Sequence, residues 1–293
     1  MNIKTFAQRD SVTKAALVLE DPSLSTETKV KKALEIIDKA ITHPECKNDG
    51  YSWYVRGFIY KNWYKTFETQ NIKSNTRLNA VEYLHKALEL LEKDTSATAN
   101  EYRSVTRKAL KYLGSTFYND ASQSLDPVNY PIAINNYEKF RECMLLAEKN
   151  YNLKPKEVEF KNALATVYER IFRDDIKTNY KFFGMTENLY KQVIMLDTNN
   201  WNANYNLAML YYNYGVDIIN KMDVTEDIIT IENIQEEAKN LFKKALPYAL
   251  KAHSIDSTRR EPIIALEGIY FSLYEFEKSD EFKAKLELLD KKK

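Results

Sequence analysis

The sequence predicts an all-α protein built from antiparallel helix hairpins, and three observations carry that prediction. Its 293 residues include only six glycines and seven prolines, too few for the tight turns of a β-rich or α/β chain. Lys, Glu, Leu and Ala are abundant, which suits long helices. A short pattern also recurs: "VRGFIYKN" at Val55–Asn62, "YLGSTFYN" at Tyr112–Asn119 and "NLAMLYYN" at Asn206–Asn213. In each, a small residue precedes an aromatic by three positions and an Asn by five. One helix face therefore repeats along the chain.

The elements follow in order. In "KVKKALEIIDKA", Ala33, Ile37 and Ala40 share one helix face, and Asp21-Pro22 and His43-Pro44 read as stops on either side of that helix. Trp53, Gly57 and Tyr60 mark the next helix, and Ala80, Leu84 and Ala87 mark its partner. Leu110, Leu113, Gly114 and Phe117 are followed by Ala133 and Tyr137, with Phe140 where a small residue would be expected. Leu164, Ala165 and Tyr168 pair with Tyr190 and Val193; a register with Phe160 moved by one is the alternative. Leu207, Ala208, Tyr211 and Gly215 pair with Ala245, Ala249 and Ala252. Thr98 with Glu101 and Thr258 with Glu261 have capping-box spacing. Asp126-Pro127 suits an N-cap followed by Pro at the first helical position, and Ser279 suits the cap of a last helix. The segment Lys221–Asn233 reads as the longest loop. Six hairpins are expected, over about 2–46, 50–93, 99–150, 156–198, 201–256 and 259–290, in one domain spanning 1–293 without a Pro-rich or Gly/Ser-rich linker.

The unit beginning "WNANYNLAMLYYNYG" resembles the first helix of a tetratricopeptide (TPR) repeat, through Leu207, Ala208, Tyr211 and Gly215. The resemblance extends to the other small–aromatic units and to the alanines of the partner helices. It implies an α-solenoid, a right-handed superhelix of about six antiparallel hairpins. Small residues let each first helix lie against its partner and the next first helix, while large ones fill the gaps. The hairpins are longer than the family's: Gly57 to Ala80 is 23 residues, Gly114 to Ala133 is 19 and Ala208 to Ala245 is 37.

Charge and motifs bound the function. The 43 basic and 42 acidic residues leave a net charge of +1, so electrostatics gives no reason to expect nucleic acid or an anionic membrane as partner. No run reaches the ~20 apolar residues of a membrane span, which suits a soluble chain. The N-terminus lacks a signal-peptide core; the expected compartment is cytoplasmic if that terminus is native, and periplasmic or secreted if a signal peptide preceded it. Cys46 and Cys143 are expected as one free and one buried thiol rather than a disulfide. His43, His85 and His253 have no metal-ligand spacing, and no phosphate loop, HExxH or GxSxG motif occurs. No catalytic residue, cofactor or metal is expected, and Asp174-Asp175 and Glu236-Glu237 read as solvated charges.

The TPR resemblance also sorts the side chains. Residues packing inside the array would include Tyr60, Phe117 and Tyr211. The concave groove would receive Tyr54, Phe58, Lys61 and Asn62, then Lys108, Lys111, Ser115, Tyr118 and Asn119, then Tyr205, Met209, Tyr212 and Asn213. Tyr and Asn there suit an extended peptide; the bland alternative is that they pack against a neighbouring helix or line a wet groove. Chaperone-binding TPR modules grip a C-terminal carboxylate with Lys, Asn and further basic residues. Here Lys111 fits, but Ser115 replaces an Asn, Asn162 fits only in the shifted register, and Asn202 and Asn206 replace two basic residues, so no such clamp is expected. The expected function is a non-enzymatic scaffold binding a protein or peptide partner. The alternatives are a structural subunit or assembly factor of a larger, for example envelope-associated, complex, suggested by the long hairpins and the "LELLDKKK" terminus, and an enzyme or small-ligand protein with a pocket between repeats.

Overall fold

The computed structural model describes residues 3–291 apart from 224 and 226, with side chains from residue 10 onward. Residue 2 of the expected first hairpin, the last two lysines of "LELLDKKK", and Val224 and Glu226 of the expected loop lie outside the described residues. Within them there are thirteen α-helices and no strand: α1 (Ile3–Glu20), α2 (Thr26–Ala40), α3 (Pro44–Lys47), α4 (Gly50–Trp63), α5 (Asn75–Leu91), α6 (Ala97–Gln123), α7 (Tyr130–Ala147), α8 (Lys154–Asp174), α9 (Lys181–Leu196), α10 (Trp201–Asn220), α11 (Ile228–Ile255), α12 (Arg260–Ser272) and α13 (Phe276–Asp290). A π-helical turn, Tyr64–Glu68, extends α4. Helices pack in adjacent pairs, α1 on α2, α4 on α5, α8 on α9, α10 on α11 and α12 on α13. α6 meets α7 through Gly114 and Tyr118.

The chain divides into two compact units. One holds the described residues up to Ser124 together with Pro131–Asn152, the other Leu125–Tyr130 together with the described residues from Leu153. In the first unit α2 and α1 also touch α4, and α5 and α4 touch α6; in the second, α9 and α8 touch α10, and α11 and α10 touch α12.

Small residues set these close approaches. Ala33, Ala80, Ala87, Ala133, Ala165, Ala208, Ala245, Ala249 and Ala252 are all fully buried. A methyl at Gly57 would lie 2.7 Å from the Leu84 side chain, and one at Gly215 would lie 2.6 Å from the Phe242 ring. Exposed Gly184 in α9 has nothing within 4 Å of that position. Gly184→Ala is therefore expected to stabilise the protein by about 0.5–1 kcal/mol, because Ala restricts the unfolded chain and favours the helix. Gly57→Ala is expected to destabilise by about 1–3 kcal/mol through overpacking. Urea denaturation of both variants checks the signs, and a stabilising Gly57→Ala would refute the close approach of α4 and α5.

Several helix starts differ from expectation. The N-cap of α6 is Ser96, whose Oγ accepts from Ala99 N–H at 3.2 Å, two residues before Thr98. Thr258 does not cap α12: its N–H and hydroxyl both donate to Asp256, at 3.0 and 2.6 Å, and the helix starts after Arg259. Ser279 lies inside α13 and donates its hydroxyl to the Glu267 carbonyl of α12 at 3.0 Å. Pro127 sits in a turn rather than at the first helical position. Asp126 accepts from Val128 and Asn129 N–H at 2.9 and 3.0 Å, and α7 starts at Tyr130. The loop expected over Lys221–Asn233 is shorter, because Asp227 accepts from Thr230 N–H at 3.0 Å and starts α11 at Ile228. Tyr60 is half-buried rather than core; its hydroxyl donates to Asp38 at 3.0 Å. Cys46 and Cys143 form no disulfide, as expected, but both are buried rather than one, and burial pushes the Cys143 thiol up to about 12.

One buried charge organises the first unit. The Arg77 side chain is 0% exposed and its Nη1 lies 2.6 Å from Asp120 Oδ2. Arg77 also donates to the Tyr64 hydroxyl at 3.1 Å and the Ile72 carbonyl at 3.0 Å, and its guanidinium lies 3.9 Å from the Phe117 ring centroid. The π turn brings Tyr64 here, and Glu68 closes it by accepting from Trp63 Nε1, Ser74 Oγ and Thr76 Oγ1. The residues gathered belong to α5, α6, the π turn and the loop before α5, so the ion pair fixes several elements at once.

Candidate functional site

The groove residues expected from the TPR resemblance fall into three environments. On α4, Tyr54 and Phe58 are half-buried, with ring centroids 4.8 Å apart. Tyr54 lies 4.7 Å from Tyr102 of α6, and Lys61 Nζ lies 4.6 Å from the Phe58 ring. Burial first, and then neighbouring Tyr102, pushes the Tyr54 hydroxyl up to about 12. Burial, followed by the charge of Lys65, lowers the Lys61 ammonium. Tyr54, Phe58 and Lys61 thus form a helix–helix contact, and Asn62 beside them is half-buried.

On α6, Lys108, Ser115 and Asn119 are exposed. Lys111 pairs with Glu148, just past the end of α7, at 2.7 Å, and Ser115 donates to the Lys111 carbonyl at 3.0 Å. Tyr118 is only 8% exposed, with its ring 4.9 Å from Phe140. α7 lies where this side chain points, so Tyr118 belongs to the packed interior and not to an open groove. Lys108 and Lys111 line a shallow basic cleft of about 400 Å³ with Arg103 and Arg107. Arg103 is engaged there by the carbonyls of Leu91 and Asp94.

On α10 the expected residues converge. Tyr205, Met209 and Tyr212 line one wall of a cleft of about 490 Å³, and Ile264, Gly268 and Phe271 of α12 line the other. Asn213 is half-buried and lies outside this lining. Tyr205 stacks on Trp201 at 4.9 Å, and the Arg259 guanidinium covers Trp201 at 4.0 Å. Burial first, then the Glu261 carboxylate, raises the Tyr205 hydroxyl above its ordinary value. A methyl at Gly268 would fall 2.5 Å from the Tyr212 hydroxyl, so glycine there makes room for that ring. Phe271 is 62% exposed and also borders a second cleft of about 650 Å³ lined by α10, α11 and the end of α12.

The α12 wall went unmarked in the sequence reading. Its signal is the run "GIYFSLYEF", dense in aromatics around a glycine. α12 ends with the Glu275 N–H bonded to the Tyr270 carbonyl at 2.9 Å and the Tyr274 N–H to Phe271 at 3.0 Å. This Schellman arrangement places Tyr274 at φ 63°, a slot that usually holds glycine. A tyrosine there costs about 1–2 kcal/mol, and it leaves its ring 74% exposed beside the second cleft.

Chemically, the α10–α12 cleft offers aromatic and aliphatic surface with carboxylates at its edge. Its one hydroxyl on α13, Ser279, is engaged by the Glu267 carbonyl. Among the described residues, no cluster of three or more His, Cys, Asp or Glu could hold a metal ion, and no helix is long and apolar enough to cross a membrane. No family model matches the chain, and no curated protein does.

Proposed function

We propose that the chain is a TPR-like, non-enzymatic scaffold that binds a protein or peptide segment in the α10–α12 cleft, its hairpins forming one continuous solenoid. One observation carries the reading. Tyr205, Met209 and Tyr212, the groove positions that the TPR resemblance implies, meet Ile264 and Phe271 on a common cleft. Phe271 is 62% exposed, and large aromatic side chains with few rotamers suit a binding surface better than a solvated one. The alanine positions at the helix contacts support the family reading, since these are the sites where TPR helices need small side chains.

The reading is tested by affinity purification with mass spectrometry on the full chain. Wild type is compared with a Tyr205→Ala/Tyr212→Ala/Phe271→Ala variant and with a control carrying Val128→Ala/Met195→Ala/Leu288→Ala, exposed apolar residues elsewhere. At least one partner should be lost from the cleft variant and kept by the control, both with wild-type circular dichroism. Equal recovery by all three proteins would defeat the proposal.

A further inference from the structure

We infer that the α10–α12 cleft and its neighbour receive a partner segment carrying Lys or Arg side chains among large apolar ones. This rests on the scaffold reading and adds the chemistry of the partner. Four carboxylates border the two clefts: Glu261 and Glu267 at the first, Glu232 and Glu236 at the second. Lys239 is the single cation among the described lining residues of both. No ion pair or side-chain hydrogen bond among the described residues neutralises any of the four.

Several other acids of the same unit are paired. Glu169 pairs with Arg173, Glu187 with Lys191, Glu275 with Lys278 and Asp290 with Arg260. Among the described residues the four cleft acids have no such partner, and they sit beside apolar lining residues such as Ile264, Phe271 and Phe242. Like charges around a low-dielectric wall focus a negative potential into the cleft, which favours a cationic visitor and opposes an acidic one.

The aromatic floor points the same way. Phe271 and Tyr274 are exposed, and exposed aromatic rings attract a guanidinium or ammonium. Lys and Arg stems would lie along Ile264 and Met209 while their charged ends reach the carboxylates. Arg259 on Trp201, with centroid distance 4.0 Å, shows this chemistry at the edge of the same helix pair. A wholly apolar segment would leave the carboxylates uncompensated, and a wholly basic one would leave the rings uncovered.

The experiment selects from a displayed library of random 16-residue peptides against the full chain at low salt. Winners are measured by fluorescence anisotropy against three proteins: wild type, Glu232→Gln/Glu236→Gln/Glu261→Gln/Glu267→Gln, and a charge-matched control with Glu82, Glu89, Glu92 and Glu142 changed to Gln. Gln keeps the helix propensity of Glu, so all three should fold alike. The expected winners combine basic with aromatic or aliphatic residues. Their affinity should fall on the order of tenfold in the cleft variant but not in the control, and should weaken with salt as the Debye length shortens below about 10 Å. Winners that are acidic or uncharged, or that are lost in Tyr212→Ala/Phe271→Ala yet unaffected by the four Gln changes, would overturn the charge inference and leave the scaffold reading standing. If no winner depends on either set of cleft residues, both fall.

Discussion

Leu207→Asp is expected to unfold the hairpins around α10. Leu207 is 0% exposed in a helix whose inner face also buries Ala203, Ala208, Leu210 and Tyr211. Removing the leucine side chain alone costs about 2–5 kcal/mol, through lost transfer free energy and the cavity left behind. The aspartate must then either stay charged without a partner or take up a proton, and either route adds several kcal/mol. The total is comparable with the roughly 5–15 kcal/mol that holds a whole domain together. Circular dichroism should show a large loss of helix at 25 °C, and hydrogen exchange should show protection lost across α8–α13. Leu207→Met, a volume-conserving change, should cost under about 1.5 kcal/mol. Leu288→Asp, at an exposed site, should stay within about 0.5 kcal/mol of wild type. A wild-type melting temperature for Leu207→Asp would mean that the face of α10 turned inward had been misassigned.

The helix pairs were legible because close packing leaves a mark in sequence. Where two helices touch, only a small residue fits, so Gly57 against Leu84 and Gly215 against Phe242 fall at recurring positions. Helix starts were less legible, because one oxygen can serve several local motifs. Asp256 captured Thr258, and Ser279 was drawn away by a carbonyl on another helix. A sequence lists the donors and acceptors but not the competition among them. Ile228–Asn233 illustrates the same limit. Its β-branched residues weaken helix propensity, yet the Asp227 cap and packing of Ala238 and Leu241 further along α11 make it helical.

The candidate site was half legible for a related reason. Tyr205, Met209 and Tyr212 follow from the groove positions that the TPR resemblance implies for a single helix. Ile264 and Phe271 join them because Gly268 admits the Tyr212 ring, a contact between residues more than fifty positions apart in the chain. Tyr118 shows the converse. Its spacing matches that of Tyr212, but Tyr137 and Phe140 of α7 close over it. Exposure at a repeat position is decided by what the next helix brings, and that is a tertiary property.

Asp120→Leu is expected to cost about 3–5 kcal/mol, although it places an apolar side chain in a largely apolar setting. The loss comes from Arg77, which stays charged and wholly buried when its counter-ion at 2.6 Å is removed. Tyr64, Ile72 and Phe117 would still surround the guanidinium, but neutral oxygens and a ring compensate a full charge only in part. Arg77→Met should also destabilise, because it leaves the Ile72 carbonyl and Tyr64 hydroxyl without this donor. The informative quantity is the coupling. In the double variant Arg77→Met/Asp120→Leu neither charge remains, so its cost should fall short of the sum of the two single costs by about 1–3 kcal/mol. Urea denaturation of the four proteins gives that number directly. Additivity within about 0.5 kcal/mol would mean that the two residues act independently, and that the first unit is held by its alanine-lined helix contacts without help from the ion pair.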